Sequence, residues 1–180
     1  MSARRRRRGK DLSGPRKTAF VVMREAMIEV AHAASAEQIE QVRTLFLEYQ
    51  ASLDVDLCFQ GFAEELARLP GSYAPPSGRL LLCTVERAPH GCVALQAITC
   101  EDCEMKRLYV RPGQRGLGLG RRLVARVLDE ARAIGYRRIY LDTLPSMARA
   151  AAMYEALGFK DVAPYRHNPV AGTRYMALTL

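Results

Sequence analysis

Arg111-Pro112-Gly113-Gln114-Arg115-Gly116-Leu117-Gly118-Leu119-Gly120 is the stretch on which the reading of this chain turns. Three alternating glycines let the backbone turn sharply and aim successive N–H groups at one spot. The periodic apolar run that follows predicts a helix from about Gly118 to Ile134, so a helix N-terminus faces the same spot. The combination attracts phosphate, and Arg115, Arg121 and Arg122 place cations beside it. The glycines alone do not say whose phosphate. A Walker loop requires Gly-Lys-Ser/Thr at its end, whereas Gly120 is followed by Arg121-Arg122. A dinucleotide fold places Gly-x-Gly-x-x-Gly after the first strand of a parallel sheet and an acid at the end of the next strand. Asp142 does end the run Ile139-Tyr140-Leu141, but the glycines here alternate and only 60 residues follow Gly120.

Outward from the loop, the predicted elements alternate in type. On the N-terminal side, Leu80 to Glu86, Cys92 to Thr99 and Cys103 to Arg111 read as strands. Their connections, Arg87 to Gly91 and Cys100 to Asp102, are short and turn-rich, which predicts an antiparallel meander. Before them, Met27 to His32 reads as a strand and Ser35 stands three residues ahead of Gln38, a capping-box spacing. Ile39, Val42, Phe46, Tyr49 and Leu53 follow at helical intervals. A second short helix is expected from Gly61 to Leu69, stopped by Pro70, and residues 70–78 read as a loop. On the C-terminal side, Leu123, Val124, Val127, Leu128, Ala131 and Ile134 give the long helix one apolar face, and Gly135 stops it. Arg138 to Thr143 reads as a strand, Met147 to Leu157 as a helix and Arg174 to Leu180 as a last strand. The order predicts a mixed α/β sheet, mostly antiparallel, with helices covering both faces.

Two motifs then give the chain a family likeness. Leu108-Tyr109-Val110-Arg111-Pro112 leads into Arg115-Gly116-Leu117-Gly118-Leu119-Gly120, and Ala150-Ala151-Ala152-Met153-Tyr154-Glu155-Ala156-Leu157-Gly158-Phe159 follows at the expected distance. In this order they resemble the two signatures of the GNAT superfamily of acyl-CoA-dependent N-acyltransferases, over about Met27 to Leu180. The resemblance implies a central parallel strand pair that splays apart, the strand ending at Arg111 from the strand Ile139 to Thr143. It also implies acetyl-CoA as cosubstrate and direct transfer of its acetyl group to a primary amine, with no metal and no covalent enzyme intermediate. Carried over residue by residue, it gives Leu108, Tyr109 and Val110 to the pantetheine and acetyl group, with the Val110 N–H as oxyanion donor. Arg115, Gly116, Leu117, Gly118, Leu119, Gly120 and Arg121 fall to the pyrophosphate, and Tyr154 to the role of general acid for the leaving thiolate. Met147 departs from the pattern, standing where many members carry Asn.

The other candidates are weighed residue by residue. Glu104 is either the base that deprotonates the amine through water or a solvated hairpin glutamate beside Glu101 and Asp102. Tyr165, His167 and Asn168 lie in a polar, turn-rich loop where relatives place substrate-facing groups. Tyr49 to Phe59 is the other expected wall of the acceptor site, with Asp54 and Asp56 as possible attractors of a cationic amine. Cys100 and Cys103 have Cys-x-x-Cys spacing without a second pair or nearby His to complete a zinc site, and are read as spanning a hairpin turn. His32 and His90 are read as a strand and a turn residue.

Composition sets the limits of this reading. The 180 residues are 49% hydrophobic and 26% charged, enough for one domain with a real core. No run of about 18 apolar residues is present, and five cysteines at irregular spacing do not suggest a secreted disulfide framework, so a cytoplasmic protein is expected. The net charge of +8 is confined to the beginning of the chain: nine basic residues and one acid fall in residues 1–24, and 18 of each sign follow. Residues 1–26 are therefore expected to form a disordered basic tail, or an extension upstream of an internal start, and residues 27–180 the domain. A nucleic-acid- or chromatin-associated module with a regulatory or degenerate GNAT domain is the alternative, resting on the tail alone because the domain has no net positive charge. A homodimer is compatible with the resemblance; the acceptor amine is not legible.

Overall fold

The computed structural model describes residues 27–53, 55 and 61–180. The expected basic tail, Asp54 and Asp56 lie outside them. The described chain runs β1 (Ile28–His32), α1 (Ala36–Ala51), α2 (Phe62–Ala67), β2 (Arg79–Val85), β3 (Ala88–Ala97), β4 (Asp102–Val110), α3 (Leu119–Ile134), β5 (Arg138–Thr143), α4 (Ala148–Ala156), β6 (Lys160–Asp161) and β7 (Arg174–Thr179). The seven strands form one sheet in the order β1-β2-β3-β4-β5-β7-β6. All neighbours are antiparallel except β4 and β5.

Strand alternation divides the apolar residues between two faces. Leu81, Cys83, Val93, Leu95, Cys103, Met105, Ile139 and Leu141 point to the face covered by α3, where Leu123, Val124, Val127 and Ala131 are fully buried. Tyr154 of α4 and Phe159 join this cluster. Leu80, Leu82, Cys92 and Ala94 point the other way and pack against Val42, Leu45 and Phe46 of α1 and Phe62 at the start of α2. The α1 N-terminus closes as its spacing predicts. Ser35 Oγ accepts from the Gln38 N–H at 3.1 Å, and Gln38 Oε1 accepts from the Ser35 N–H at 3.1 Å.

Three local details correct or sharpen the expectations. The β2–β3 connection is only Glu86-Arg87, both at positive φ (49° and 68°), and Ala88 to Gly91 belong to β3. Pro89 is tolerated there because the register shifts between Cys83 and Thr84, which leaves the ladder irregular at that point. Segment 70–78 is a loop except for one 3₁₀ turn at Gly71–Tyr73, whose Tyr73 is 1% exposed and donates its hydroxyl to Glu65 Oε1 at 2.7 Å. The two-residue β6, paired with β7, is too short to leave a periodic signal.

A β-bulge in β4 turns this scaffold into a site. Cys92 is opposite Tyr109 but Ala94 is opposite Lys106, so Arg107 and Leu108 together oppose Val93. Arg107 takes up the extra residue at φ 56°. Cys103 and Met105 face α3, yet beyond the bulge Tyr109 faces α1. The bend also separates β4 from its parallel neighbour. The β4–β5 ladder registers only Asp102, Cys103 and Glu104 with Arg138, Ile139 and Tyr140. Past that point β4 stays paired with β3 up to Val110, and β5 stays paired with β7 up to Thr143. A gap opens between them.

Candidate active site

The gap leads into one cavity of about 950 Å³ that passes from one face of the sheet to the other. On the α3 face it is lined by Arg115, Gly116, Gly118, Leu119, Gly120 and Arg121 and by Met147, Met153 and Tyr154. Leu108, Tyr109, Val110, Leu141 and Asp142 form its middle, and Tyr49, Ser52, Leu53, Lys106, Arg107, Arg166 and Asn168 line the opposite end.

At the α3 end the backbone needs its glycines. Gly116 and Gly118 have φ of 95° and 73°, and a Cβ on either would meet nothing within 4 Å. The loop backbone is therefore open to an incoming group, and Gly118 is the N-cap of α3 with no side chain closing the helix end. The free N–H groups of that end, with Arg115 and Arg121 exposed beside them, suit a pyrophosphate. Leu117 is 51% exposed and does not line the cavity. At the loop's other end Arg115 Nε donates to the Val110 carbonyl at 3.3 Å. Arg111 directs its N–H to His90 of β3, so by strand alternation Leu108 and Val110 direct theirs into the gap.

Tyr154 lines the cavity from α4. It is 6% exposed, its ring rests 5.7 Å from that of Phe159, and its hydroxyl has no hydrogen-bond partner among the described residues. Burial raises its pKa well above the ordinary phenol value, with the charges of Tyr49 and Asp142 adding to the effect. It therefore stays protonated at neutral pH. Tyr49, at the end of α1, is likewise raised by burial, to about 12.

The opposite end carries a buried charge network that composition did not foretell. Glu104 is not a solvated hairpin glutamate: it is 2% exposed, accepts from Gln96 Nε2 at 2.9 Å and Tyr165 Oη at 2.7 Å, and pairs with Arg166 at 3.0 Å. Asp142 accepts from Arg166 and from Asn168 Nδ2. Glu65 of α2 accepts a bidentate pair from Arg107, at 2.9 and 2.6 Å, besides the Tyr73 hydroxyl. Of the loop candidates, Asn168 lines the cavity, Tyr165 does not line it but donates its hydroxyl to Glu104, and His167 is exposed and outside it. The loop residue that points inward is Arg166. Lys106, Arg107, Asp142 and Arg166 were missed; the one usable signal was Glu104 and Lys106 at alternate positions of an interior strand, where charges must face something polar. Cys100 is exposed and Cys103 is buried on the α3 face, at either end of a turn closed by Ile98 and Thr99 N–H to the Asp102 carbonyl.

A sheet that parts at a parallel pair, a glycine loop at the mouth of the gap and a buried tyrosine inside it define an acyl-CoA transferase architecture. The model of the Acetyltransferase (GNAT) family matches residues 36–159, and the chain belongs to that family. An uncharacterised N-acetyltransferase of Schizosaccharomyces pombe is 36% identical over 161 residues, covering 88% of this chain and 99% of its own length. An acetyltransferase structure from Streptococcus agalactiae superposes with a TM-score of 0.72 at 24% identity, covering 85% of this chain and 98% of that one. A structure from Salmonella typhimurium solved with its cofactor acetyl-CoA has a TM-score of 0.63 at 19% identity, over 84% and 93%. Among the described residues no helix is long and apolar enough to cross a membrane.

Proposed function

We propose that the protein transfers an acetyl group from acetyl-CoA to a primary amine by direct attack. The observation that carries this reading is the gap between β4 and β5, lined by unpaired backbone and opening onto the glycine loop. The loop N–H groups with Arg115 and Arg121 hold the pyrophosphate. Leu108 and Val110 pair with the pantetheine as a neighbouring strand does, and the N–H of Val110 meets the carbonyl oxygen of the thioester. The neutral amine enters from the α1 end, its nitrogen lone pair forms the C–N bond, and collapse of the tetrahedral intermediate breaks the C–S bond. The thiolate takes the proton of Tyr154, the nitrogen releases its proton to solvent, and a proton from solvent restores the Tyr154 phenol. An N–H aimed at a developing oxyanion contributes about 10²–10³ in rate.

Glu104 fits a positioning role better than that of base. Its oxygens already accept two hydrogen bonds and a guanidinium contact, so taking a proton would require one of them to break. It anchors Arg166 and Tyr165 instead. The test of the whole reading is thiol release from acetyl-CoA across a panel of amines, with calorimetric binding of acetyl-CoA measured alongside. Binding with amine-dependent thiol release supports it; tight NADH binding without acetyl-CoA binding would return the glycine loop to a dinucleotide.

A further inference from the structure

Lys106 is the buried cation that the network leaves over. Its side chain is 8% exposed and lines the α1 end of the cavity. Its nearest acidic neighbour, Glu65, lies 4.0 Å from the ammonium, beyond hydrogen-bond distance, and is already bound by Arg107 and Tyr73. Asp142 on this wall and Glu104 behind it are claimed by Arg166, with Gln96 and Tyr165 on Glu104 and Asn168 on Asp142. Among the described residues the ammonium thus has three donors and no hydrogen-bonded acceptor. Burial and the Arg107 charge lower its pKa, while Glu65 and Glu104 oppose them. The ammonium opens onto the cavity without an acceptor, so an anion arriving there gains a charge-assisted contact in a largely desolvated setting.

We infer that Lys106 is the recognition residue for an anionic group on the acceptor, so that the substrate is an amine that also bears a carboxylate or a phosphate. The inference rests on the acetyltransferase reading, since the α1 end is the acceptor side only if acetyl-CoA fills the other. Lys106 lies four residues before Val110 on the same strand, with the bulge between them, and both line the same cavity. Among the described residues, the carboxylates of Glu65, Glu104 and Asp142 are already engaged by arginines.

Matched pairs test the point. Amino acids are compared with their amides, and phosphoethanolamine with ethanolamine, as acceptors for the parent protein and for Lys106→Met, which keeps the aliphatic stem. The parent should prefer the anionic member of a pair, and the pair that does so distinguishes carboxylate from phosphate. Loss of one charge-assisted contact should raise KM for that acceptor by about tenfold or more, with KM for its neutral analogue and for acetyl-CoA unchanged and partial rescue in Lys106→Arg. Equal use of both members of every pair overturns the inference. So does a fall in kcat at constant KM with a displaced pH profile, which makes Lys106 a base. A readout free of turnover is the rise in Tm caused by N-acetyl amino acids or N-acetylphosphoethanolamine, which Lys106→Met should abolish. Absence of that rise in the parent overturns the anion site even if acetyl-CoA binds, whereas absence of acetyl-CoA binding overturns the transferase reading.

Discussion

Tyr154→Phe removes one oxygen from a ring that is packed against Phe159. Because the hydroxyl holds no partner among the described residues, its loss should leave Tm and acetyl-CoA affinity nearly unchanged. Turnover should fall by about 10²–10⁴, the usual contribution of a general acid. Steady-state kinetics with a true acceptor, paired with calorimetry, separates the two; full turnover in the variant would return the tyrosine to a packing role. Its raised pKa adds a condition on pH. An acid that stays protonated past the ordinary phenol value of about 10 gives kcat no falling alkaline limb below that pH. Glu130 supplies a second residue-scale case. Burial alone raises its pKa, but hydrogen bonds from His32, Arg79 and Arg126 outweigh it and hold the carboxyl at about 2. Because the folded value is depressed, this contribution is fully present above the unfolded value near 4.5 and is lost as pH falls through about 2. Glu130→Gln should lower Tm at pH 7 by on the order of 5 °C, and the difference from the parent should shrink as the scans move below pH 4.5.

Elements differ in how much of them their residues announce. The glycine loop and α3 announce themselves, because positive φ demands glycine and a single apolar stripe demands one sheet face. The bulge at Arg107 does not. Nothing in Met105-Lys106-Arg107-Leu108 marks an extra residue, since it is tertiary pairing with Glu65 and Phe62 that stabilises Arg107 at φ 56°. For the same reason the charged end of the cavity stayed hidden while the glycine-loop end was legible: one is built from charges on α2, β4, β5 and the 164–170 loop that meet only in the fold, the other from a local motif. Two substitutions follow at this scale. Gly118→Asp puts a side chain and a negative charge into open space at the α3 N-terminus. The left-handed φ costs Asp less than most residues, so the protein should fold while calorimetry finds acetyl-CoA binding lost; unchanged affinity would show the loop assignment to be wrong. Glu65→Gln strips the Arg107 guanidinium of its buried anion, and breaking such a pair costs about 3–5 kcal/mol. A chemical-denaturation midpoint equal to that of the parent would mean the bulge is held by other contacts.

For the whole molecule, the basic segment and the domain should be separable. A chain beginning at Met27 should keep the Tm and the acetyl-CoA affinity of the full protein, and any salt-dependent retention on DNA should disappear with residues 1–26. The parting of β4 from β5 has a further consequence, for cooperativity. Strands β1 to β4 come from residues 28–110 and strands β5 to β7 from residues 138–179, so each half-sheet is one continuous stretch of chain. They are stitched by three registered positions. A seam that short gives the ligand-free protein two internal edges and two units able to open separately. In hydrogen–deuterium exchange the amides of Leu108 and Val110 should exchange far ahead of their neighbours on β3, and the two half-sheets should show different opening free energies. Bound acetyl-CoA, contacting both edges, should slow those amides and bring the two values together, so that the cosubstrate acts as the missing strand of a sheet that unfolds as one.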